Sequence, residues 1–242
     1  MKFFCLFLAF LSTLSAERFF LKSELDRVYF LDRFLSEFPN DYKVEILDTF
    51  ETNQYFVYDP SSILKELKVI YKSPLLSRSL EQRRAYEIEQ IFLGIWNSGS
   101  FEKSLMFYYN VDYPGRQHFR IKPKYEKYLK GKLFLYSLWI HSSSYRDALF
   151  LVFKTLDNQE KILKIGSLNW KGWRRIEGLF PESFSYYPKL NQEIGYYKFD
   201  GFYIQTYRNS EVGVRELLLD QFYVILNRTN LNYNGSEILD NF

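Results

Sequence analysis

Several residue types are scarce in this sequence, and each scarcity excludes a class of protein. The 242 residues include one cysteine, two histidines, 11 glycines and 7 prolines. One cysteine forms no intramolecular disulfide, and two histidines do not supply the three or four His or Cys ligands of a usual zinc site. The low glycine and proline content excludes a collagen-like or linker-dominated chain. We therefore expect a fold held together by packing alone.

The sequence also has no large excess of positive or negative side chains. Lys and Arg total 32 against 29 Asp and Glu, a formal net charge of +3. A nucleic-acid binder concentrates positive charge on one face, so we predict no nucleic-acid partner. Hydrophobic residues make up 47% of the chain and aromatic residues 20%, enough apolar surface to offset the conformational entropy of folding. The length indicates one domain, or two at most.

Residues 1–16 have the features of a secretory signal peptide. Lys2 supplies a positive charge, an apolar run follows over residues 3–11, and small residues precede Glu17. The run is too short to span a bilayer, although a retained membrane anchor is the alternative. We predict cleavage after Ser15 or Ala16, which removes the only cysteine, Cys5, and leaves an exported protein that is not an integral membrane protein.

Helical periodicity follows the predicted signal peptide. Between residues 17 and 38, apolar side chains recur at helical spacing with charged side chains opposite them, and Pro39 and Asn40 form a stop. We therefore predict an N-terminal amphipathic helix within residues 17–40. Its apolar stripe either packs on its own domain or docks onto a neighbouring subunit.

From Val44 onward the hydrophobic period becomes alternating, with turn residues between short runs. This pattern predicts an all-β domain over residues 41–229, an antiparallel β-sandwich or jelly roll, followed by a loose C-terminal tail at 230–242. Ser79 and Gln82 could cap a short helix before a predicted strand at 91–96. The other predicted strands are residues 54–58, 67–71, 105–109, 118–121, 133–140, 148–155, 161–165, 196–206 and 217–226.

Motifs for catalysis, cofactors or metals are few, and we predict no catalytic, cofactor-binding or metal-binding residue. The segment 97–100 lacks the lysine of a phosphate-binding loop, and neither His118 nor His141 lies in a triad motif. Asp48, Glu51 and Asp220 could meet at a sandwich edge and hold Ca²⁺, although solvated carboxylates are the simpler interpretation. Glycoside hydrolysis requires two carboxylates on opposite sides of a cleft, and the number of acidic residues in a sequence neither shows nor excludes such a pair.

Three tryptophans, Trp139, Trp170 and Trp173, lie in or beside alternating strands. They could form a flat platform for stacking sugars, but buried core is the more common position for aromatic residues in strands. Asn227 and Asn234 fit the short N-glycosylation pattern, which also recurs by chance.

A family resemblance is carried by ordered segments in the second half of the chain. They are residues 137–141, 145–149, 161–173, 197–202 and 219–225. In this order they resemble the FlaA family, the outer-layer or sheath proteins of spirochaete periplasmic flagella, and in particular a short paralogue of the leptospiral type. The resemblance covers most of residues 44–226, more loosely in the first half, where 45–51 are similar to the family's opening strand.

The resemblance implies a structural jelly-roll subunit with no catalytic residues and no cofactor. Such a protein is exported to the periplasm, where it coats the flagellin core of the flagellar filament and contributes to its stiffness, its curvature and the cell's motility. The implied partners are core flagellin, other sheath proteins and copies of this chain. Two alternatives stay open: a secreted carbohydrate-binding module, suggested by the fold class and the tryptophans, and a glycoside hydrolase.

Overall fold

The computed structural model describes residues 23–51, 55–58, 67–72, 78–96, 102–113, 115–184, 196–209 and 211–228. The predicted signal peptide, the predicted tail at 230–242 and the segment 97–100 lie outside these residues. The chain divides into two compact units. One contains the two α-helices of the described part, and the other contains its strands and a short 3-10 helix at Glu182–Phe184.

The helical unit consists of α1 (Glu24–Glu37) and α2 (Leu80–Phe92), which pack against each other. The Ser23 hydroxyl oxygen accepts a hydrogen bond from the Asp26 backbone amide and caps α1. The buried residues Val28, Leu31 and Phe34 share one face of that helix, as the periodicity predicts. The N-terminal amphipathic helix is therefore confirmed over Glu24–Glu37.

The second helix corrects one sequence-based prediction. Ser79 and Gln82 form the predicted capping box, each side chain accepting a hydrogen bond from the other residue's backbone amide. The helix continues through Ile91 to Phe92, so the strand predicted at 91–96 is wrong. Ile91 is 58% exposed, because the helical period turns it away from the buried face that carries Ala85. Residues 78–96 thus group with α1, although they fall inside the range 41–229 predicted as sandwich.

The β unit is built from two six-stranded sheets in which every pairing is antiparallel. Sheet 1 has the order β10-β7-β12-β4-β3, with β1 also paired to β12, and sheet 2 has the order β2-β5-β11-β8-β9, with β6 also paired to β11. The strands are β1 (Tyr42–Asp48), β2 (Tyr55–Tyr58), β3 (Leu67–Lys72), β4 (Ser104–Val111), β5 (His118–Pro123), β6 (Lys127–Lys130), β7 (Lys132–Ser143), β8 (Ala148–Thr155), β9 (Glu160–Ser167), β10 (Lys171–Leu179), β11 (Tyr196–Gln205) and β12 (Gly213–Asn227). The predicted antiparallel β-sandwich of jelly-roll type is confirmed.

The core between the sheets is rich in phenylalanine. The ring of Phe202 on β11 lies 5.7 Å from that of Phe222 on β12 and 6.3 Å from that of Phe107 on β4, measured between centroids. All three side chains are at most 1% exposed. Tilted and edge-on ring pairs of this kind add to the free energy of burial, so these contacts hold sheet 2 to sheet 1.

One glycine permits a bulge in the centre of sheet 2. The pairing of β11 with β8 shifts register between Phe199 and Gly201, and Gly201 has φ +114°. A Cβ atom at this position would lie 2.0 Å from the carbonyl oxygen of Ile121 on β5. Only glycine fits both the backbone angle and this close approach.

Candidate interaction face

The side of sheet 2 that faces away from the core is an exposed surface, named here the outer face. Alternate residues of a strand point to opposite sides. On β5 and β8 the inward residues Phe119, Ile121, Leu149 and Leu151 are completely buried. The residues between them and on the neighbouring strands form the outer face: Phe56, Tyr58, His118, Arg120, Lys122, Phe150, Lys154, Glu160, Ile162, Lys164, Lys198 and Tyr203.

Aromatic and cationic groups alternate across the outer face. Measured between ring centroids, Tyr203 lies 5.3 Å from Phe150 and 5.7 Å from His118. The guanidinium carbon of Arg120 lies 5.4 Å from the centroid of the Tyr203 ring. At the β2 edge, the Lys122 ammonium nitrogen lies 3.9 Å above the ring centre of Tyr58. Cations over ring faces are attracted by the aromatic quadrupole, so these contacts stiffen an otherwise exposed aromatic surface.

Ion pairs tie the strands together across this face. Asp200, only 6% exposed, lies 3.4 Å from the Lys122 ammonium and 3.2 Å from that of Lys154, measured from its Oδ2. The Arg120 guanidinium donates to both carboxylate oxygens of Glu160, although two strands separate β5 from β9 in the sheet. The hydrogen bonds that Arg120 donates to the Glu160 carboxylate raise the pKa of Arg120 above its ordinary value. The polar groups of the outer face are therefore arranged by the protein itself.

A buried ion pair fixes the loops at one end of the β unit. The Arg215 guanidinium on β12 donates to the Asp147 carboxylate, and these residues are 1% and 0% exposed. The Tyr109 hydroxyl donates to Asp147 Oδ2 at 2.8 Å, and the Tyr207 backbone amide donates to Oδ1 at 3.1 Å. Burial and the neighbouring carboxylate raise the pKa of Tyr109 well above its ordinary value. Asp147 thus joins strands β4 and β12 to the loop that follows β11.

The three tryptophans considered as a sugar platform do not form one. Trp139, Trp173 and Trp170 are 0%, 3% and 8% exposed, and Trp170 lies in the core between the sheets. The Trp170 indole nitrogen donates to the Gly172 carbonyl oxygen at 3.1 Å. The alternative weighed from the sequence, a buried aromatic core, is confirmed, because the alternating pattern places these rings on faces that are not exposed.

The two histidines lie in different sheets. His118 contacts Tyr203 on the outer face of sheet 2, whereas the His141 ring lies 5.4 Å from that of Trp173 in sheet 1. The structure therefore does not bring them together into one site.

The carboxylates considered for Ca²⁺ binding are engaged separately. Asp48 Oδ1 accepts the Phe50 backbone amide at 2.6 Å, Glu51 Oε1 accepts the Lys103 backbone amide at 3.2 Å, and Asp220 is fully buried on β12. Burial raises the pKa of Asp48 despite that hydrogen bond. Within the described part of the chain, no three His, Cys, Asp or Glu side chains are grouped so that they could hold a metal ion.

Sequence reasoning did not identify the outer face as a surface. The signal was present in β5, where His118, Arg120 and Lys122 alternate with buried apolar residues. Periodicity shows that one side of a strand is polar, but it does not show which strands share that side. The pairing of β5 with β11 and of β11 with β8 supplies this information.

Comparison with known proteins identifies a family. Residues 131–234 match the family described as flagellar filament outer layer protein FlaA. The resemblance expected from the sequence is confirmed over this region, which contains strands β7 to β12. No curated protein matches the chain. Among the described residues, no helix has the length and apolar character needed to cross a membrane.

Solved structures similar to this chain include carbohydrate-binding modules. The family 11 module of cellulase Lic26A-Cel5E from Clostridium thermocellum is 14% identical, with 75% of this chain and 94% of that chain covered and a TM-score of 0.36. The family 29 module CBM29_1 from Piromyces equi is 12% identical, with coverages of 77% and 91% and a TM-score of 0.36. Carbohydrate binding is a property of those modules, and at this degree of similarity it does not transfer to this chain.

Proposed function

We propose that this protein is a structural subunit of the outer layer, or sheath, of the periplasmic flagellar filament. The observation that carries the proposal is the match of residues 131–234 to the FlaA outer-layer family. The subunit would be exported by residues 1–16, coat the flagellin core together with other sheath proteins and copies of itself, and contribute to filament stiffness, curvature and motility. Its role is binding and support rather than catalysis.

The outer face of sheet 2 is the surface we propose for contact with the filament. It carries Phe56 and Tyr58, each 47% exposed, at one edge and Ile162, 43% exposed, on β9. Aromatic side chains that are exposed in the free protein and buried in a complex are enriched among residues that dominate binding energy. The cations held over the aromatic rings would add specificity for the partner's charge.

The carbohydrate-binding alternative has lost one of its two supports, because Trp139, Trp170 and Trp173 are buried. The other support, the fold class, does not by itself indicate a function. We therefore do not propose it as a second function.

Co-sedimentation with purified periplasmic flagella tests the proposal. The full exported chain should pellet with filaments and remain soluble without them. A Phe56→Ser/Tyr58→Ser variant should bind about thirtyfold more weakly or worse, because truncating an interface hot spot typically costs about 2 kcal/mol or more.

A matched control for this variant removes two equally exposed tyrosines outside the outer face, Tyr113 and Tyr125, which are 58% and 61% exposed. Tyr113→Ser/Tyr125→Ser should pellet like the wild type. Wild-type protein that stays in the supernatant with filaments would refute the sheath assignment. Equal losses in both variants would refute the outer face as the contact.

A further inference from the structure

A basic cleft lies at one end of the outer face of sheet 2, within the β unit. Its volume is about 340 Å³, at the small end of ligand-sized pockets, which span roughly 300–1,000 Å³. Arg116, Arg146, Lys164 and Arg208 line it, and no residue that lines it carries a carboxylate. All four cationic side chains are exposed.

The positive charge of the cleft is not paired with any carboxylate in the part of the chain that the structure describes. None of the four cations makes an ion pair with any residue that the structure describes. The nearest acidic residue in sequence, Asp147, is fully buried and accepts from Arg215, the Tyr109 hydroxyl and the Tyr207 amide. Elsewhere on the outer face the protein pairs its own cations, as Arg120 does with Glu160. Four unpaired like charges around one concave site favour an anionic occupant.

Hydrogen bonds to buried or neighbouring backbone and side-chain groups hold the loops that carry these cations. Tyr207 and Arg208 follow β11, and the Tyr207 amide is bound to the buried Asp147, which lies next to Arg146 in sequence. Thr206, in the same loop, donates its hydroxyl to the Gly115 carbonyl oxygen at 2.8 Å, beside Arg116. The backbone next to three of the four cations is thus held in place before any ligand arrives, which lowers the entropic cost of binding.

The chemistry of the lining favours carboxylates from a protein over an acidic sugar. Three of the cations are arginines, whose planar guanidinium groups match carboxylates with two parallel hydrogen bonds. A sugar would use an exposed aromatic ring for stacking, and the ring available in the cleft is Tyr207. The Arg146 guanidinium carbon already lies 5.9 Å from the centre of that ring.

We infer that this cleft binds an acidic segment of a neighbouring protein in the filament, a peptide stretch with two or more carboxylates. The inference rests on the proposed sheath function for the existence of such a neighbour. It goes beyond that function by assigning an electrostatic contact to the cleft where β8 begins and where β9 and β11 end, separate from the aromatic edge at β2.

Fluorescence anisotropy of the full exported chain with a fluorescein-labelled hexaglutamate peptide tests the inference. Binding should saturate, weaken as NaCl is raised, and be absent with labelled hexaglutamine. An Arg146→Gln/Arg208→Gln variant should bind hexaglutamate about tenfold more weakly, the effect of removing two exposed charge pairs. The matched control Arg83→Gln/Arg84→Gln removes the same charge from exposed positions on α2 and should bind like the wild type.

Three outcomes would overturn the inference: no saturable binding of hexaglutamate, an equal loss in the two variants, or tighter binding of oligogalacturonate than of hexaglutamate. Circular dichroism of both variants should match the wild type, since all four arginines are exposed. Failure here with intact co-sedimentation of the wild type would reject the cleft and leave the sheath function standing. Failure of co-sedimentation itself would reject the proposed function.

Discussion

Replacing Asp147 by alanine should destabilise the β unit more than any exposed charge substitution. The change leaves the Arg215 guanidinium, 1% exposed, without its buried counter-charge, and it removes the acceptor of the Tyr109 hydroxyl and the Tyr207 amide. Breaking a buried ion pair by removing one partner costs about 3–5 kcal/mol. With a urea m value of about 2.5 kcal/mol/M for a chain of this size, the unfolding midpoint should fall by about 1.5 M.

Urea titration followed by tryptophan fluorescence measures this effect in the β unit, which contains the buried Trp139, Trp170 and Trp173. Glu160→Ala is the matched control, because Glu160 also accepts two hydrogen bonds from an arginine but lies in a partly exposed pair. The control should cost at most about 1 kcal/mol, the usual contribution of a surface ion pair.

A double variant separates the ion pair from its surroundings. Asp147→Leu/Arg215→Met should cost less than the sum of the two single changes, because no charge is left buried alone. A loss below about 1 kcal/mol for Asp147→Ala, or strict additivity of the two single changes, would refute the claim that this pair holds the end of the sandwich.

Two further substitutions test local features of the sandwich. Gly201→Ala should lower the unfolding midpoint in urea strongly, since its Cβ would clash with the Ile121 carbonyl oxygen. Gly213 also has a positive φ but has open space around it, so Gly213→Ala should lower the midpoint less. Equal losses would show that φ alone determines the effect. Asp48→Asn should gain stability over the wild type as pH rises. Folding raises the pKa of Asp48, so the wild type loses stability as pH rises from the unfolded pKa, near 3.8, through the folded value. Asparagine keeps an acceptor for the Phe50 amide and does not ionise, so the variant does not lose this stability. Urea titrations on both sides of that window measure the difference, and a difference that stays constant with pH would contradict the reasoning.

The fold class followed from the sequence because alternation is a local signal. The run that contains Phe119 alternates with polar residues, and it became a strand with Phe119 inward. The run that contains Leu151 is mostly apolar, and its length and β-branched and aromatic residues indicated a strand. The segment around Ile91 was misassigned because a short apolar run is compatible with a strand or with a helix end. The capping box at Ser79 correctly indicated the start of a helix, and that helix includes the first residues of the apolar run.

The candidate surfaces depended on information that a linear pattern does not contain. Arg116, Arg146 and Arg208 are distant in sequence and line one cleft only because β5 and β8 begin, and β11 ends, at the same side of sheet 2. The ion pair of Asp147 with Arg215 spans 68 positions in the chain. The sequence therefore predicted the class of fold and the family resemblance, whereas the positions of the charges depend on strand pairing.

The position of β12 in sheet 1 has a consequence for how the protein is made. This strand is the last one described, yet it pairs with β7, β4 and β1, so that Tyr42 lies opposite Asn227. Contacts between such distant residues give a high contact order, which slows folding. The centre of sheet 1 therefore cannot form during synthesis until residues 213–227 have left the ribosome, and the earlier strands of this sheet wait for their central partner.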